Sequence, residues 1–596
     1  MKSFLIFSSM FSKKYKIFFY TILLLLFVCT TMKIVSQTPA PKIPKQEVRA
    51  IWVTTVLGLD WPKTKDVDAQ KRTLLEIIRK SANAKFNTIY FQVRGRSDAM
   101  YHSHYEPWSH VLTGELGKDP GWDPLEFVLD ESHKRGMEVH AWFNTFLVKS
   151  GKEKPDDSSP RHVILTHPEW MKMINGEYWL DPGIPEAREY VLKVSLDLIR
   201  SYDIDGIHFD FMRYPKMDFP DDKTWKKYRK NFTKGDWRRE NINSFVRALY
   251  DSAIAIKPML KVGSAPIGIY NAEVYKNGFR GYDEVFQDAK AWLREGKMDY
   301  IAPQVYWSLK DTFPGPDFTK ITKDWIKDSY GRQVYPGIGI YKPDVYKQIS
   351  AIIDTSRSLG ANGQAYFRYD FTATLFDTAQ IYSTIALFPP MKWKDSIPPN
   401  PPLAYKVTRE TISIAKLQWS IPPPAPDGDT ATWFTIYRSD KYPVDVQNGM
   451  NLYTKLYSPI TFYVDSTKKL TNQRYYYAMA SLDKGNNESE FVQEPVEHVP
   501  EVLAALEKLG SHWKLDSIIV NRSKGVAFVP YELQEKTNLT ITVWDTSKTQ
   551  KLYTTNENRN AGKNFSTINI SGMKKGEYIF QLQSEQFSAQ KVFVVR

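Results

Sequence analysis

At 596 residues the chain is too long for one ordinary domain, and with 42% hydrophobic and 14% aromatic residues it can bury large cores. Its formal charge of +13 arises from 80 basic residues scattered among 67 acidic ones with no basic stripe, which argues against nucleic acid as a partner and leaves an anionic polymer such as cell wall open. Cys29 is the only cysteine, which excludes a disulfide framework.

In chain order, Lys13, Lys14 and Lys16 precede "IFFYTILLLLFVC", an apolar run of 13 residues that is short for a membrane span and suited to a signal-peptide core. Export is therefore expected, to a periplasmic, cell-surface or secreted location in a bacterium. Residues 1–36 form the expected leader, with cleavage after Ser36 and no stable membrane span in the mature chain. Lipid attachment at Cys29 is an alternative that Val28 disfavours, because a small residue is expected there; an uncleaved anchor is another. A chain without mature cysteines fits an envelope protein held by large cores rather than staples.

A proline-rich linker, "TPAPKIPKQ", ends at Gln46, and a second, "IPPNPPLAY", begins at Ile397. Between them eight apolar runs recur: "VRAIWVTTV", "TIYFQVRG", "EVHAWFNT", "GIHFDFMRYP", "KVGSAPIGIY", "YIAPQVYW", "YPGIGIY" and "GQAYFRYD". Most gaps carry helical patterns, among them "KRTLLEIIRKSANAK", "DPLEFVLDESHKRG" and "PEAREYVLKVSLDLIRSY". Near-continuous apolar strands alternating with helices predict an α/β fold, a (β/α)8 TIM barrel over residues 47–392. A doubly wound open sheet is the rival, but "VTTVLGLDWP" lacks the Gly-rich turn usual after its first strand.

Two all-β sandwich domains are expected to follow. Residues 397–497 hold "LQW", "WFTIYR" and "YYYAMASLDKGNNES" in an order that resembles a fibronectin type III domain. Residues 503–596, with "LTITVWD" and "STINISGMKKGEYIFQLQS", form an expected small sandwich that resembles the C-terminal sorting modules of some secreted bacterial proteins.

In such a barrel the active residues sit at the C-terminal ends of the strands. The fourth run raises the sharpest question, because Asp210 stands in an otherwise apolar strand. His208 and Asp210 share one face and Ile207, Phe209 and Phe211 take the other. A buried structural pair with Arg213 is the plainer alternative. The second strand brings Arg94, Arg96 and Asp98 to the rim, followed by Glu106 and Trp108; the third brings His140, Trp142 and Asn144. The sixth offers Gln304, Tyr306 and Trp307, and the eighth ends in Arg368, Tyr369 and Asp370. Aromatic rings to cover pyranose faces, amides and guanidiniums for hydroxyls, and carboxylates for acid and base work together suit a glycan. Asp210 is the leading catalytic carboxylate, Asp98 its partner and Asp370 the reserve. Arg94, Trp108, His140, Asn144, His208, Arg213, Gln304, Tyr306, Trp307 and Tyr369 are the expected sugar contacts. No metal, cofactor or nucleotide site is expected, since His102 and His104 lack a third ligand, and a monomer is expected.

Residues 46–390 resemble the glycosyl hydrolase-like 10 proteins, exported bacterial barrels of the YngK-like group. The segments that carry the resemblance are "EVRAIWVTTV", "FNTIYFQVRGRSDAMYHSHYEPWSHVLTG", "DPLEFVLDESHKRGMEVHAWFN", "LDPGIPEAREYV", "DIDGIHFDFMRYP" and "APQVYW". The resemblance implies glycoside bond cleavage, with peptidoglycan glycan strands among the substrates proposed for relatives. One departure stands out: the family pattern commonly follows the aspartate at position 210 with a second acid, and here that residue is Phe211. A non-catalytic carbohydrate-binding or wall scaffold protein is therefore the rival function. A metal deacetylase, for which only His140 and His208 are well placed, is the third.

Overall fold

The computed structural model describes residues 43–309, 316–378, 381–411, 414–466, 475–494, 518–521, 525–533, 535–584 and 588–595. The expected leader, its cleavage site and Cys29 lie outside the described residues. Among the described residues no helix is long and apolar enough to cross a membrane.

All eight expected strands form. They are β1 (Val48–Val53), β2 (Thr88–Arg94), β3 (Glu138–Asn144), β7 (Gly206–Asp210), β8 (Lys261–Ser264), β9 (Tyr300–Ile301), the split pair β10 (Gln333–Val334) and β11 (Gly337–Ile338), and β12 (Gly363–Tyr366). Every pairing between them is parallel. The sheet closes through the split strand, because β10 pairs with β9 and β11 pairs with β12, which in turn pairs with β1. Pro336 causes the break: it has no N–H to give to a ladder. The result is the predicted barrel rather than an open sheet.

Helices cover the outside. Val67–Asn83 starts where the Asp66 side chain accepts the Ala69 amide, and Leu74, Ile77, Ile78 and Ser81 turn inward at helical spacing. Pro124–His133 is capped by Asp123 in the same way, with proline in its first turn. Pro185–Ser201 carries Glu186 in its first turn and Arg200 in its last, as the helix dipole favours.

Two details differ from expectation. The sixth strand ends at Ile301, so Gln304 and Tyr306 lie beyond it; Pro303 interrupts the ladder, and Gln304 keeps only an isolated bridge to Ile267. After β3 the chain also builds a small antiparallel sheet of β4 (Leu147–Ser150), β5 (Met171–Ile174) and β6 (Glu177–Leu180), in the order β4-β6-β5. β5 and β6 meet in a two-residue turn, Asn175-Gly176, with φ of 50° and 82°. Positive φ at both positions is what a twisted hairpin requires, and Asn-Gly is the pair that tolerates it.

The barrel interior is filled by aromatic side chains, including Trp52, Tyr90, Trp142, Tyr300 and Tyr335. The His208 ring stacks on Tyr90 at 4.1 Å. Trp52 Nε1 donates to His208 Nε2 (3.1 Å), so a neutral His208 carries its proton on Nδ1, beside the Tyr300 hydroxyl at 3.1 Å. That hydroxyl lies 2.6 Å from His140 Nδ1, and His140 Nε2 is 3.3 Å from Glu138. Lys261 ends the chain on Glu138 at 2.7 Å.

Beyond the barrel, residues 403–493 form two antiparallel sheets. One is β13 (Leu403–Thr411), β14 (Ile414–Ser420) and β17 (Phe462–Asp465). The other is β16 (Leu452–Tyr457), β15 (Trp433–Ser439), β18 (Tyr476–Leu482) and β19 (Val492–Gln493). The tail repeats the scheme, with β20 (Ile519–Asn521), β21 (Val526–Leu533) and β24 (Gly562–Asn569) against β23 (Lys551–Arg559), β22 (Thr537–Asp545), β25 (Gly576–Gln583) and β26 (Ser588–Val595). The first sandwich seats on the barrel floor, the N-terminal ends of the strands. Asn486 donates to Glu138 (3.4 Å), Asn487 to Asp395 (2.9 Å), and Lys45, just ahead of β1, pairs with Glu488 at 2.5 Å.

Candidate active site

The barrel mouth is built from the C-terminal strand ends and the loops above them. Asp210 is the last residue of β7 and lies beside Asn144, the last of β3, in the strand register. Its Oδ1 accepts the Phe211 amide (2.7 Å) and, more loosely, the Gln304 side chain at 3.4 Å. Burial pushes the Asp210 carboxyl up to about 6, against the Phe211 amide and the Arg213 charge, which act the other way. Phe211 holds φ of 51°, which lets the chain turn away at once after the acid.

Rings wall the acid on two sides. Tyr306 stacks on Phe367 at 5.5 Å, and Tyr341 meets both, at 6.1 and 6.3 Å. Tyr341 continues to Phe371 at 6.1 Å, and both rings are well exposed. Burial, Asp210 and Tyr341 all hold the Tyr306 hydroxyl in its neutral form. On the other side Arg213 lies over Trp179, Phe211 and Phe279 at 5.2–5.5 Å. Burial pulls the Arg213 guanidinium down to about 10, opposed by Asp210 and Glu177. Two buried polar atoms face no protein partner: Asn144 Oδ1, whose amide nitrogen is bonded to the Gly95 carbonyl at 2.9 Å, and Trp142 Nε1, one layer lower.

The structure thus gathers Asp210, Asn144, Gln304, Tyr306 and Arg213, with His208 beneath and Trp307 half-buried beside Lys342 at 5.7 Å. Other expected residues have different work. Arg94 is fully buried and spends its donors on Glu106, Ser97 and the Asn144 and Thr145 carbonyls, so none remains for a ligand. Trp108 packs in the core. His140 lies below the mouth, bound between Tyr300 and Glu138. Asp98 folds back to accept the Arg96 amide at 2.8 Å. Asp370 stands on the rim, paired with Lys63 at 3.0 Å and Arg368 at 3.2 Å. Tyr369 turns outward onto Phe376.

Both ring nitrogens of His208 and of His140 are engaged by protein groups, which leaves no lone pair for the deacetylase reading. Burial and the neighbouring His140 hold His208 well below its usual range, and therefore neutral. Among the described residues, the group of three carboxylates close enough to share a cation is Asp395, Asp427 and Asp429, which lies away from the mouth.

Sequence reasoning missed Glu177. It opens β6 immediately after the Asn175-Gly176 turn, and its carboxylate accepts Trp179 Nε1 and Ser150 Oγ, both at 3.2 Å. The Asn-Gly pair between "MKMI" and "EYWL" was the available signal.

A closed parallel barrel with a buried acid between aromatic walls at its C-terminal mouth is a (β/α)8 protein with its candidate site where that fold carries one. The model of the glycosyl hydrolase-like 10 family matches residues 47–352, and the chain belongs to that family. It is 31% identical over 478 residues to the glycosyl hydrolase YngK of Bacillus subtilis, an alignment spanning 74% of this chain and 92% of that one. It is 34% identical over 325 residues to the glycosyl hydrolase DigH of Escherichia coli K12, spanning 50% of this chain and 74% of that one. Among solved structures it is similar to alpha-L-fucosidase isoenzyme 2 from Paenibacillus thiaminolyticus, with 14% identity and a TM-score of 0.37 over 56% of this chain and 49% of that one. Residues 521–596 match the secretion system C-terminal sorting domain, which marks the chain for export.

Proposed function

We propose that the protein is an exported glycosidase that hydrolyses O-glycosidic bonds of a polysaccharide, with peptidoglycan glycan strands the first substrate to test. The observation that carries this reading is Asp210, a carboxyl whose surroundings hold its proton to about pH 6 at the floor of a ring-lined mouth. An acid that keeps its proton near working pH can give it to a departing sugar oxygen. The rings of Tyr306, Tyr341 and Phe371 offer apolar faces to pyranose rings, while Asn144 Oδ1 and Trp142 Nε1 offer an acceptor and a donor to hydroxyls. No cofactor enters this reading, and the chain acts as a monomer. Residues 403–493 are read as a fibronectin type III-like module, supported by the order β13-β14-β17 facing β16-β15-β18-β19.

The test is product analysis by mass spectrometry after incubating the mature protein, and Asp210→Asn, with peptide-bearing and denuded peptidoglycan and a panel of other polysaccharides. Soluble fragments from the wild type alone are expected. No fragments from any glycan, with retention on one of them, would make the protein a carbohydrate-binding one instead.

A further inference from the structure

We propose that Glu177 is the second carboxyl group that works with Asp210 in cleaving the glycosidic bond. The proposal rests on the glycosidase reading above and supplies what that reading leaves open, since the chemistry needs two carboxyl groups, one protonated and one ionised.

Among the described residues, the other acids around the mouth are held by backbone amides or by cations. Asp98 holds the Arg96 amide in its own loop, Asp370 is paired with Lys63 and Arg368, and Glu106 is wholly buried against Arg94. Asp60 takes the Thr54 and Asp370 amides together with Arg368.

Glu177 differs in position and in surroundings. The sheet β4-β6-β5 rises from the end of β3, next to β7, and the tight turn places Glu177 at the head of β6. From Asp210 the link to Glu177 runs through two rings. Phe211, its chain neighbour, packs edge-on against Trp179 at 5.9 Å, and the indole N–H of Trp179 sits on Glu177 Oε2. Arg213 covers both rings and interacts electrostatically with both Asp210 and Glu177. Glu177 is half-buried and each of its oxygens has one neutral donor, which leaves lone pairs for water or a sugar carbon. Arg96 and Arg213 both feel its negative charge.

The reaction balances with these two groups and one water. Asp210 gives its proton to the glycosidic oxygen as the C1–O bond breaks. The oxygen of one water ends on C1, either directly, with Glu177 taking a proton from that water, or after a glycosyl ester on Glu177 is hydrolysed with Asp210 taking the proton. The net change is one glycosidic bond and one water replaced by two hydroxyl ends.

The experiment measures turnover of denuded peptidoglycan, and of any glycan the wild type cuts, by full-length mature wild type, Glu177→Gln, Glu177→Ala and Asp98→Asn. Thermal melts check the fold, and the alanine variant is also run with sodium azide. The expected result is a roughly 10²- to 10⁴-fold loss in Glu177→Gln at an unchanged melting temperature. Azide is expected to restore part of the turnover of Glu177→Ala, with a glycosyl azide among the products. Wild-type turnover with Glu177→Gln within about tenfold of it would overturn the assignment and leave the glycosidase reading standing. Loss confined to Asp98→Asn, or no azide rescue, would do the same. Absence of wild-type turnover on every glycan would overturn both.

Discussion

Asp210 shows how a single side chain sets stability against chemistry. Its carboxyl has an ordinary value of 3.8 and is pushed up to about 6 by burial in the native protein. The native state therefore holds this proton more tightly than the unfolded chain does. By linkage the penalty is absent below about pH 4, grows as the pH rises to about 6 and is complete above it, on the order of 3 kcal/mol. Asp210→Asn removes the ionisation, so it should be more stable than the wild type by about 1–3 kcal/mol at about pH 7.5, with the margin shrinking toward about pH 4.5. Denaturant titrations of both proteins at the two pH values check this. A margin that does not change with pH would show that burial does not raise this carboxyl.

At the scale of elements, β8 and β9 fit because β8 carries a glycine opposite a tyrosine. A Cβ on Gly263 would lie 2.0 Å from the Tyr300 ring, and that ring is locked between His140, His208 and its own strand. Gly263→Ala should cost about 1–3 kcal/mol or more by overpacking, read as a lower midpoint in chemical denaturation with altered near-ultraviolet dichroism. A neutral result would mean that Tyr300 has room to move. The strands were legible in the sequence because parallel strands buried on both faces read as apolar runs, and the helices because Asp66 and Asp123 announce their starts. Asp210 was legible because a strand-end acid on an apolar strand is conspicuous. What the alternation of a strand does not disclose is where donors are spent. Arg94 was placed on the correct strand, but its partner Glu106 comes from a later loop and consumes it. Glu177 was missed for a related reason: four-residue strands carry too little periodicity to be read, and only the Asn-Gly turn betrayed them.

On the scale of the whole molecule, the first sandwich acts as part of the barrel rather than as a spacer. Lys455 reaches from β16 to the floor, over Trp433 at 4.1 Å and Phe388 at 4.8 Å. Burial pulls its ammonium down to about 8, a shift that Glu138 opposes and Lys261 reinforces. Below about pH 8 the native protein bears the full cost of that buried charge, and the cost disappears as the pH rises toward the ordinary value of 10.5. Lys455→Met, which keeps the stem and discards the charge, should therefore stabilise the chain by about 1–3 kcal/mol at neutral pH and lose most of that advantage by about pH 10. Differential denaturation of variant and wild type at the two pH values decides it, and a destabilised variant at neutral pH would mean the charge is satisfied. The stacking order then continues outward. Tyr442 of the first sandwich lies over Phe565 of the sorting domain at 5.2 Å, and Arg559 bonds the Tyr442 carbonyl at 3.1 Å. Tail rests on sandwich, sandwich on floor, and the ring-lined opening faces the far end. The segment that matches a sorting domain and the opening of the barrel therefore lie at opposite ends of this stack, so neither covers the other.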